Sequence, residues 1–122
     1  MRVVPVVEDD PDIVETTCFL LEDAGYEALP ATGVDQALRV AETREDIDVI
    51  FTDVNLRAET NGIELARLLR ARVRLASIVI VSGDLGWAET PLDEDMRFLA
   101  KPYGRDKLLA AVNDAYSRRH HH

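Results

Sequence analysis

The sequence predicts an α/β fold in which helices cover both faces of a doubly wound, five-stranded parallel sheet, giving a three-layer sandwich. Short apolar runs alternate along the chain with segments whose apolar residues recur at helical spacing. Strands that alternate with helices pair in parallel, because each helix returns the chain to the same edge of the sheet. The 122 residues contain no linker, repeat or low-complexity stretch and fit one compact domain.

The first strand and the first helix are predicted at the beginning of the chain. Residues 2–7 are largely apolar and indicate a buried strand. Asp10 and Pro11 then provide an N-cap and a proline at the first helical position, and Gly25 marks the end of the helix. The buried face of this helix is predicted to consist of Ile13, Thr17, Leu20, Leu21 and Ala24.

The middle of the chain predicts two further strands, each followed by a helix. Residues 26–31 form the second strand, and a helix follows at about 34–45. Residues 48–53 form the third strand, nearly all apolar between acidic ends, and a helix follows at about 62–72. The first of these helices is marked by Val34, Ala37, Leu38 and Ala41, and the residues predicted to point inward in the second are Ile63, Ala66 and Leu69.

The last third of the chain predicts two strands and a final helix. The strands are expected at 77–82 and 97–100, and the helix at about 105–118. Its buried residues are predicted to be Leu108, Val112, Ala115 and Tyr116. Residues 83–96 should hold another helix, but they contain two glycines, a proline and no apolar face, so that we expect a short or irregular helix there.

Two prolines bear on the order of the strands. Pro30 places the second strand at an edge of the sheet, because proline cannot donate a ladder hydrogen bond. The flavodoxin-like order 2-1-3-4-5 meets that condition. The first strand is then internal, and we expect a missing ladder bond or a bulge at Pro5.

The composition excludes several kinds of chemistry. All three histidines lie at 120–122 and are interpreted as the remnant of a purification tag, which leaves 1–119 as the folded domain. The rest of the chain has no histidine, and its single cysteine, Cys18, is expected to be a core residue. Zinc sites built from cysteine and histidine, and catalytic triads that need histidine, are therefore excluded.

Charge and hydropathy bear on the location of the protein in the cell and on its partners. Its 14 basic and 23 acidic side chains give a formal charge of −9, which disfavours nucleic acid as a partner. No apolar run approaches the roughly 18 residues of a membrane span, and the first residues do not form a signal peptide. We therefore expect a cytoplasmic protein with neither a membrane nor a nucleic acid as its partner.

Polar side chains follow the predicted strands where the carboxyl ends of the strands meet. Glu8 and Asp9 follow the first strand, Asp53 ends the third, Ser82 ends the fourth, and Lys101 follows the fifth. In an open parallel sheet the ligand site lies beyond these ends. Converging carboxylates repel one another unless a hard cation neutralises them, and Mg²⁺ takes carboxylates, water and phosphate oxygens as ligands. An ammonium and a hydroxyl beside such acids suit a phosphoryl group, for which a carboxylate is the best candidate nucleophile.

Five motifs that span nearly the whole chain carry a family resemblance. They are Val6-Val7-Glu8-Asp9-Asp10, Thr52-Asp53-Val54-Asn55-Leu56, Asn61-Gly62-Ile63-Glu64-Leu65, Val79-Ile80-Val81-Ser82-Gly83 and Phe98-Leu99-Ala100-Lys101-Pro102-Tyr103. The sequence resembles the receiver domain of two-component response regulators, the CheY-like superfamily. The resemblance implies a signalling domain, not an enzyme, that takes a phosphoryl group from a histidine kinase or a histidine phosphotransfer protein. It would then change conformation and control an output partner, as a monomer or as a phosphorylation-dependent dimer.

The resemblance also implies a phosphoacceptor and a metal site. Asp53 would accept the phosphoryl group, in a Mg²⁺-dependent self-phosphorylation that autodephosphorylation reverses. Glu8, Asp9, Asp53 and the backbone carbonyl of Asn55 would hold Mg²⁺, with Mn²⁺ as an alternative and no organic cofactor. Glu8 stands where an aspartate is more frequent. The loop 54–61 is one residue longer than the commonest form and is expected to follow a different path.

Further positions would respond to the phosphoryl group. By the same resemblance, Lys101 would pair with it and Ser82 would hydrogen-bond it. Ser82 and Phe98 would form the switch, with Phe98 turning inward as the Ser82 loop closes. Lys101-Pro102 is expected to be a cis peptide.

Two other classes of function remain open from the sequence. One is an interaction module that keeps the fold but acts without phosphorylation. The other is a flavodoxin-like carrier of a small ligand, or a hydrolase with an aspartyl nucleophile. A flavin carrier should have a loop rich in Ser, Thr and Gly after the first strand, where this chain has Glu8-Asp9-Asp10.

Overall fold

A computed structural model describes residues 2–54, 62–73, 76–83 and 96–118. Its strands are β1 (Arg2–Val7), β2 (Tyr26–Ala31), β3 (Val49–Asp53), β4 (Ser77–Ser82) and β5 (Met96–Ala100). They form one five-stranded parallel sheet in the order β2-β1-β3-β4-β5. The predicted order is confirmed, and Pro30 lies on an edge strand as expected.

Helices cover both faces of the sheet. Within the described ranges they are α1 (Pro11–Asp23), α2 (Val34–Thr43), α3 (Gly62–Arg72) and α4 (Arg105–Arg118). One core joins α1 and α4 to the sheet, and the other joins α2 and α3 to the opposite face. The irregular helix predicted within 83–96 lies outside the described residues, apart from Gly83 and the first residue of β5.

The helix ends follow from local chemistry. Asp10 caps α1 by accepting a hydrogen bond from the Asp12 amide at 3.0 Å, and Pro11 occupies the first turn. Gly25 follows the helix with a φ of 95°, which only glycine adopts without strain. Arg44 ends α2 two residues earlier than predicted, because its backbone is extended while its amide still bonds the Val40 carbonyl at 3.0 Å.

The predicted buried face of α1 is partly wrong. Thr17 and Leu21 are buried as expected, but Ile13 and Leu20 are only half-buried, and Ala24 is exposed beyond the end of the helix. The buried residues are Val14, Thr17, Cys18 and Leu21. Apolar residues surround this helix on nearly every side, so that their spacing alone does not select one stripe. Cys18 is buried as predicted, and burial raises the pKa of its thiol to about 11.

The expected irregularity at Pro5 is present between β1 and β3. The two strands pair at Val6 and Val7, and an isolated bridge joins Val3 to Ile47. Between the bridge and the first ladder pair, Val6 with Phe51, β1 advances three residues while the opposing segment advances four. The ladder is therefore interrupted beside Pro5, whereas the pairing of β1 with β2 is continuous.

Residues of both cores are apolar and buried where the helices meet the sheet. The inward residues predicted for α3 and α4 are confirmed, except that Tyr116 is only half-buried. Of α2, Ala37 and Ala41 are buried, while Val34 and Leu38 pack against the core from partly exposed positions. None of the helices in the described ranges has the length and apolar character that crossing a membrane requires.

Candidate functional site

Four charged side chains converge at the carboxyl edge of the sheet. Glu8 and Asp9 follow β1, Asp53 is the last residue of β3, and Lys101 follows β5. The Lys101 amide donates to the Ser82 carbonyl at 2.9 Å, so that the chain leaving β5 stays in line with the end of β4. Parallel strands end at the same edge, and the sequence predicted this meeting from the strand ends alone.

Glu8, Asp9 and Asp53 form a cluster of three carboxylates. One oxygen of each lies within 4.8 Å of the others. Glu8 and Asp53 are each 4% exposed, and Asp9 is half-buried. The Asp10 amide donates to Glu8 Oε1 at 3.2 Å, which fixes the carboxylate at the beginning of α1. The cluster thus places negative charge where little water can screen it.

Lys101 reaches into this cluster from β5. Its Nζ donates to Glu8 Oε2 at 3.0 Å and to Asp53 Oδ2 at 2.8 Å. The side chain of Lys101 is 22% exposed, so that its ammonium is partly removed from water. One ammonium therefore faces three carboxylates, and the cluster carries an excess of negative charge.

The pKa values of the paired groups reflect that excess. The pKa of Glu8 is raised to about 7, first by burial and then by the neighbouring Asp53, and Lys101 only partly opposes these two effects. Burial lowers the pKa of Lys101, but its hydrogen bonds to Asp53 and Glu8 outweigh burial, and the net pKa lies above its ordinary value. Without another cation, Glu8 therefore holds a proton more readily than a glutamate in water does.

The donor set fits a hard divalent cation. Carboxylate oxygens are the ligands that such ions prefer, and an ion would remove the charge excess that raises the pKa of Glu8. Glu8, Asp9 and Asp53 can therefore hold a metal ion. The fourth predicted ligand, the backbone carbonyl of Asn55, lies outside the described residues, as does the loop from 55 to 61.

The predicted switch residues lie on the neighbouring strands. Ser82 ends β4 and is fully buried; its neighbour Val81 is in register with Asp53. Phe98 lies in β5 and is half-buried. The Lys101-Pro102 bond is cis, as expected from the resemblance.

One side-chain hydrogen bond beside the site was not predicted from the sequence. The hydroxyl groups of Thr17 and Tyr103 are 2.8 Å apart and share a hydrogen bond between α1 and the segment after β5. A threonine on a helix face that is otherwise apolar, and a tyrosine two residues after the site lysine, are the signals that hinted at it.

Comparison with known proteins defines the family. The sequence profile of the response regulator receiver domain matches residues 4–113, and the chain belongs to this family. Receiver domains of response regulators accept phosphate from histidine kinases. The fold described above is that of this class.

Individual relatives are similar over almost the whole chain. The nitrogen assimilation regulatory protein NtrX of Azorhizobium caulinodans is 31% identical over 115 residues, which are 90% of this chain and 25% of that protein. The CAI-1 autoinducer sensor kinase/phosphatase CqsS of Vibrio cholerae is 31% identical over 119 residues, 91% of this chain and 17% of that protein. The chain thus spans about a quarter or less of the length of these relatives.

Solved structures agree with the fold. A response regulator receiver domain protein from Clostridium thermocellum has a TM-score of 0.86 and 28% identity. The match covers 98% of this chain and 97% of that one. The receiver domain of the hybrid histidine kinase CckA has a TM-score of 0.79 and 28% identity, covering 93% of this chain and 98% of that one.

Proposed function

We propose that this domain accepts a phosphoryl group on Asp53 with the help of Mg²⁺ held by Glu8, Asp9, Asp53 and the backbone carbonyl of Asn55. The observation that carries the proposal is the meeting of three carboxylates, two of them buried, with the Lys101 ammonium 2.8 Å from Asp53 Oδ2. Mn²⁺ is an alternative ion of similar ligand preference.

The chain's own groups supply a nucleophile and fixed charges. An Asp53 carboxylate oxygen attacks the phosphorus of the donor, a bond from oxygen to phosphorus forms, and the bond from phosphorus to the leaving group breaks. The leaving group keeps the electron pair of that bond. Lys101 neutralises charge on the phosphoryl oxygens, and Ser82 donates a hydrogen bond to one of them. Mg²⁺, when bound by the carboxylates, would supply further neutralisation of the developing charge.

The donor in the cell is a histidine kinase or a histidine phosphotransfer protein, and autodephosphorylation at the same site ends the signal. Phosphorylation adds nearly two negative charges at Asp53, which biases Ser82 and Phe98 towards a second arrangement that an output partner reads. We place the domain at 1–119, working in the cytoplasm as a monomer or as a dimer that forms on phosphorylation. Residues 120–122 are a tag remnant in this proposal.

The test is phosphorylation of the purified protein by acetyl phosphate with Mg²⁺, followed by intact mass spectrometry. The wild type is expected to gain one phosphoryl group, and Asp53→Asn none, because the amide is a poor nucleophile. Asp106→Asn, an exposed aspartate of α4, is the matched control and should label like the wild type.

The outcomes separate the candidate functions. Labelling of Asp53→Asn at the wild-type rate would contradict the assignment of the acceptor. A wild type that neither labels nor binds beryllofluoride in the presence of Mg²⁺ would instead favour a module that acts without phosphorylation.

A further inference from the structure

A part-buried hydrogen bond ties the segment that carries Lys101 to the first helix. Thr17 is 2% exposed, and its hydroxyl lies 2.8 Å from that of Tyr103, which follows Lys101 by two residues. Burial raises the pKa of the Tyr103 phenol. A buried hydroxyl needs a partner, so that each of these groups holds the other in place.

Tyr103 also contacts the strand that ends in Asp53. Its ring meets the ring of Phe51 edge-on, with centroids 5.9 Å apart and an interplanar angle of 78°. Phe51 lies two residues before Asp53, on the same side of β3. Tyr103 therefore bridges α1, which follows the Glu8-Asp9 pair, and β3, which ends in the third carboxylate.

Packing around this bridge is incomplete. A cavity of about 350 Å³ lies between α1 and the segment after β5, and its lining includes Ile13, Thr16, Thr17, Pro102 and Tyr103. Tyr103 packs against the core through contacts such as that of its ring with Phe51, and the cavity leaves the helix side of residues 101–103 less closely packed. The shared hydrogen bond is the directional contact that spans this gap.

We propose that the Tyr103–Thr17 hydrogen bond positions the Lys101 ammonium for phosphoryl transfer, an inference that rests on the proposed function. Lys101 is a long, flexible side chain, and its ammonium must lie within hydrogen-bond distance of two carboxylates on different strands. Holding the backbone two residues away restricts where that ammonium can lie. Tyr103 is thus a positioning residue that acts through Lys101.

The first measurement is the rate of labelling by acetyl phosphate and Mg²⁺. Tyr103→Phe and Thr17→Val each remove the hydrogen bond and should slow labelling roughly tenfold, since small displacements of a charged group are costly in transfer reactions. Thr17→Ser keeps the hydroxyl and should restore the rate. Tyr26→Phe is the matched control, because Tyr26 begins β2 at the opposite edge of the sheet and its hydroxyl bonds Asn113.

A second measurement distinguishes positioning from loss of structure. In a Lys101→Met background, Tyr103→Phe should cause no further loss of rate, because the ammonium through which it acts is absent. An equal loss in both backgrounds would overturn the proposal. So would a wild-type rate for Tyr103→Phe, which is expected if the hydroxyl serves only to contact a partner protein.

A third measurement needs no phosphorylation. The chain has two lysines, Lys101 and Lys107, so that ¹⁵N-lysine labelling gives two side-chain ammonium signals. Tyr103→Phe and Thr17→Val should shift the Lys101 signal and leave that of exposed Lys107 in place, whereas Tyr26→Phe should shift neither. An unmoved Lys101 signal would overturn the positioning role, while a wild type that never labels would overturn only the proposed function.

Discussion

The buried Lys101 cluster and the exposed Arg44 cluster both join one cation to two carboxylates. Lys101 bonds Glu8 and Asp53 at 3.0 and 2.8 Å. Arg44 bonds Glu27 at 3.0 and 3.2 Å and Asp46 at 2.9 and 2.8 Å, from a position about one third exposed.

The pKa of Glu8 nevertheless shifts in the opposite direction from those of the two carboxylates that bond Arg44. Arg44 holds the pKa of Glu27 and of Asp46 below their ordinary values. The pKa of Glu8 rises to about 7 despite a cation at the same distance, because burial dominates and Asp53 adds negative charge. The number of ion pairs therefore does not decide how a carboxylate behaves; its access to water does. In the exposed cluster Arg44 stabilises the charged form of both carboxylates. In the buried cluster one ammonium leaves an excess of negative charge that a further cation can neutralise.

The largest expected effect that separates the clusters is on metal affinity. Asp9→Asn should weaken Mg²⁺ binding at least roughly tenfold, because it removes a charged ligand from the three-carboxylate cluster. Asp46→Asn, the matched change in the Arg44 cluster, should leave the affinity unchanged. Isothermal titration of both variants with Mg²⁺ tests this, and equal affinities would contradict the assignment of the cluster as the metal site.

The cation of the buried cluster should compete with the metal. Lys101→Met removes the ammonium from Glu8 and Asp53 and is expected to tighten Mg²⁺ binding by roughly tenfold, because a positive charge no longer repels the ion. Lys107→Met, on the exposed side of α4, is the control and should change little. Weaker Mg²⁺ binding by Lys101→Met would show that the ammonium supports the ion instead.

The pH dependence of stability should have opposite signs in the two clusters. Without metal, Glu8 binds its proton more tightly in the folded chain, so that its contribution to stability is present below pH 4.5 and is lost as the pH rises through about 7. Urea unfolding in EDTA should give free energies of unfolding for wild type and Glu8→Gln that converge as the pH falls and diverge as it rises.

Glu27 provides the contrast to that experiment. Its pKa is lowered in the folded chain, so that its contribution is present above its ordinary pKa and is lost as the pH falls. Wild type and Glu27→Gln should therefore diverge at neutral pH in the presence or absence of Mg²⁺. If the difference in stability between wild type and Glu27→Gln depended on Mg²⁺, the Arg44 cluster would not be separate from the metal site.

The smallest expected effect is that of salt on the exposed cluster. Arg44→Met should lower the midpoint of urea unfolding slightly at low ionic strength, and 1 M salt should remove most of the difference, because exposed ion pairs are screened. For Lys101→Met, the corresponding substitution in the buried cluster, the difference in unfolding midpoint from the wild type should remain in 1 M salt. Equal salt sensitivity of the two variants would argue against the difference in burial.

The sequence predicts the strand order and which site residues meet, but it does not predict the electrostatics of the site. Strand order follows from Pro30, and the meeting of Glu8, Asp53 and Lys101 follows from the ends of parallel strands. Strand order and the meeting of the strand ends both depend on backbone topology, which can be predicted from apolar periodicity and from the positions of prolines. The sign of the pKa shift of Glu8 does not follow in this way, because it depends on how deeply one oxygen is buried.

Contacts between distant side chains are the other part that sequence does not reveal. Thr17 and Tyr103 are separated by 86 positions, and neither residue type specifies the other. The buried stripe of α1 is ambiguous for a related reason, since apolar residues such as Phe19, which is 67% exposed, occur on its outer side as well. Packing against the sheet selects the stripe, and that choice requires three-dimensional information.

The interrupted ladder beside Pro5 has a consequence for how the sheet opens. Val3 pairs with β2 but meets its other neighbour only through the isolated bridge to Ile47 and the bond of its amide to the Asp48 side chain at 2.7 Å, whereas Val6 and Val7 lie in continuous ladders with both β2 and β3. Amide hydrogen exchange should therefore be faster at the beginning of β1 than at its end. We therefore expect β1 to loosen first at the end away from Glu8, while the end that carries the carboxylate stays paired.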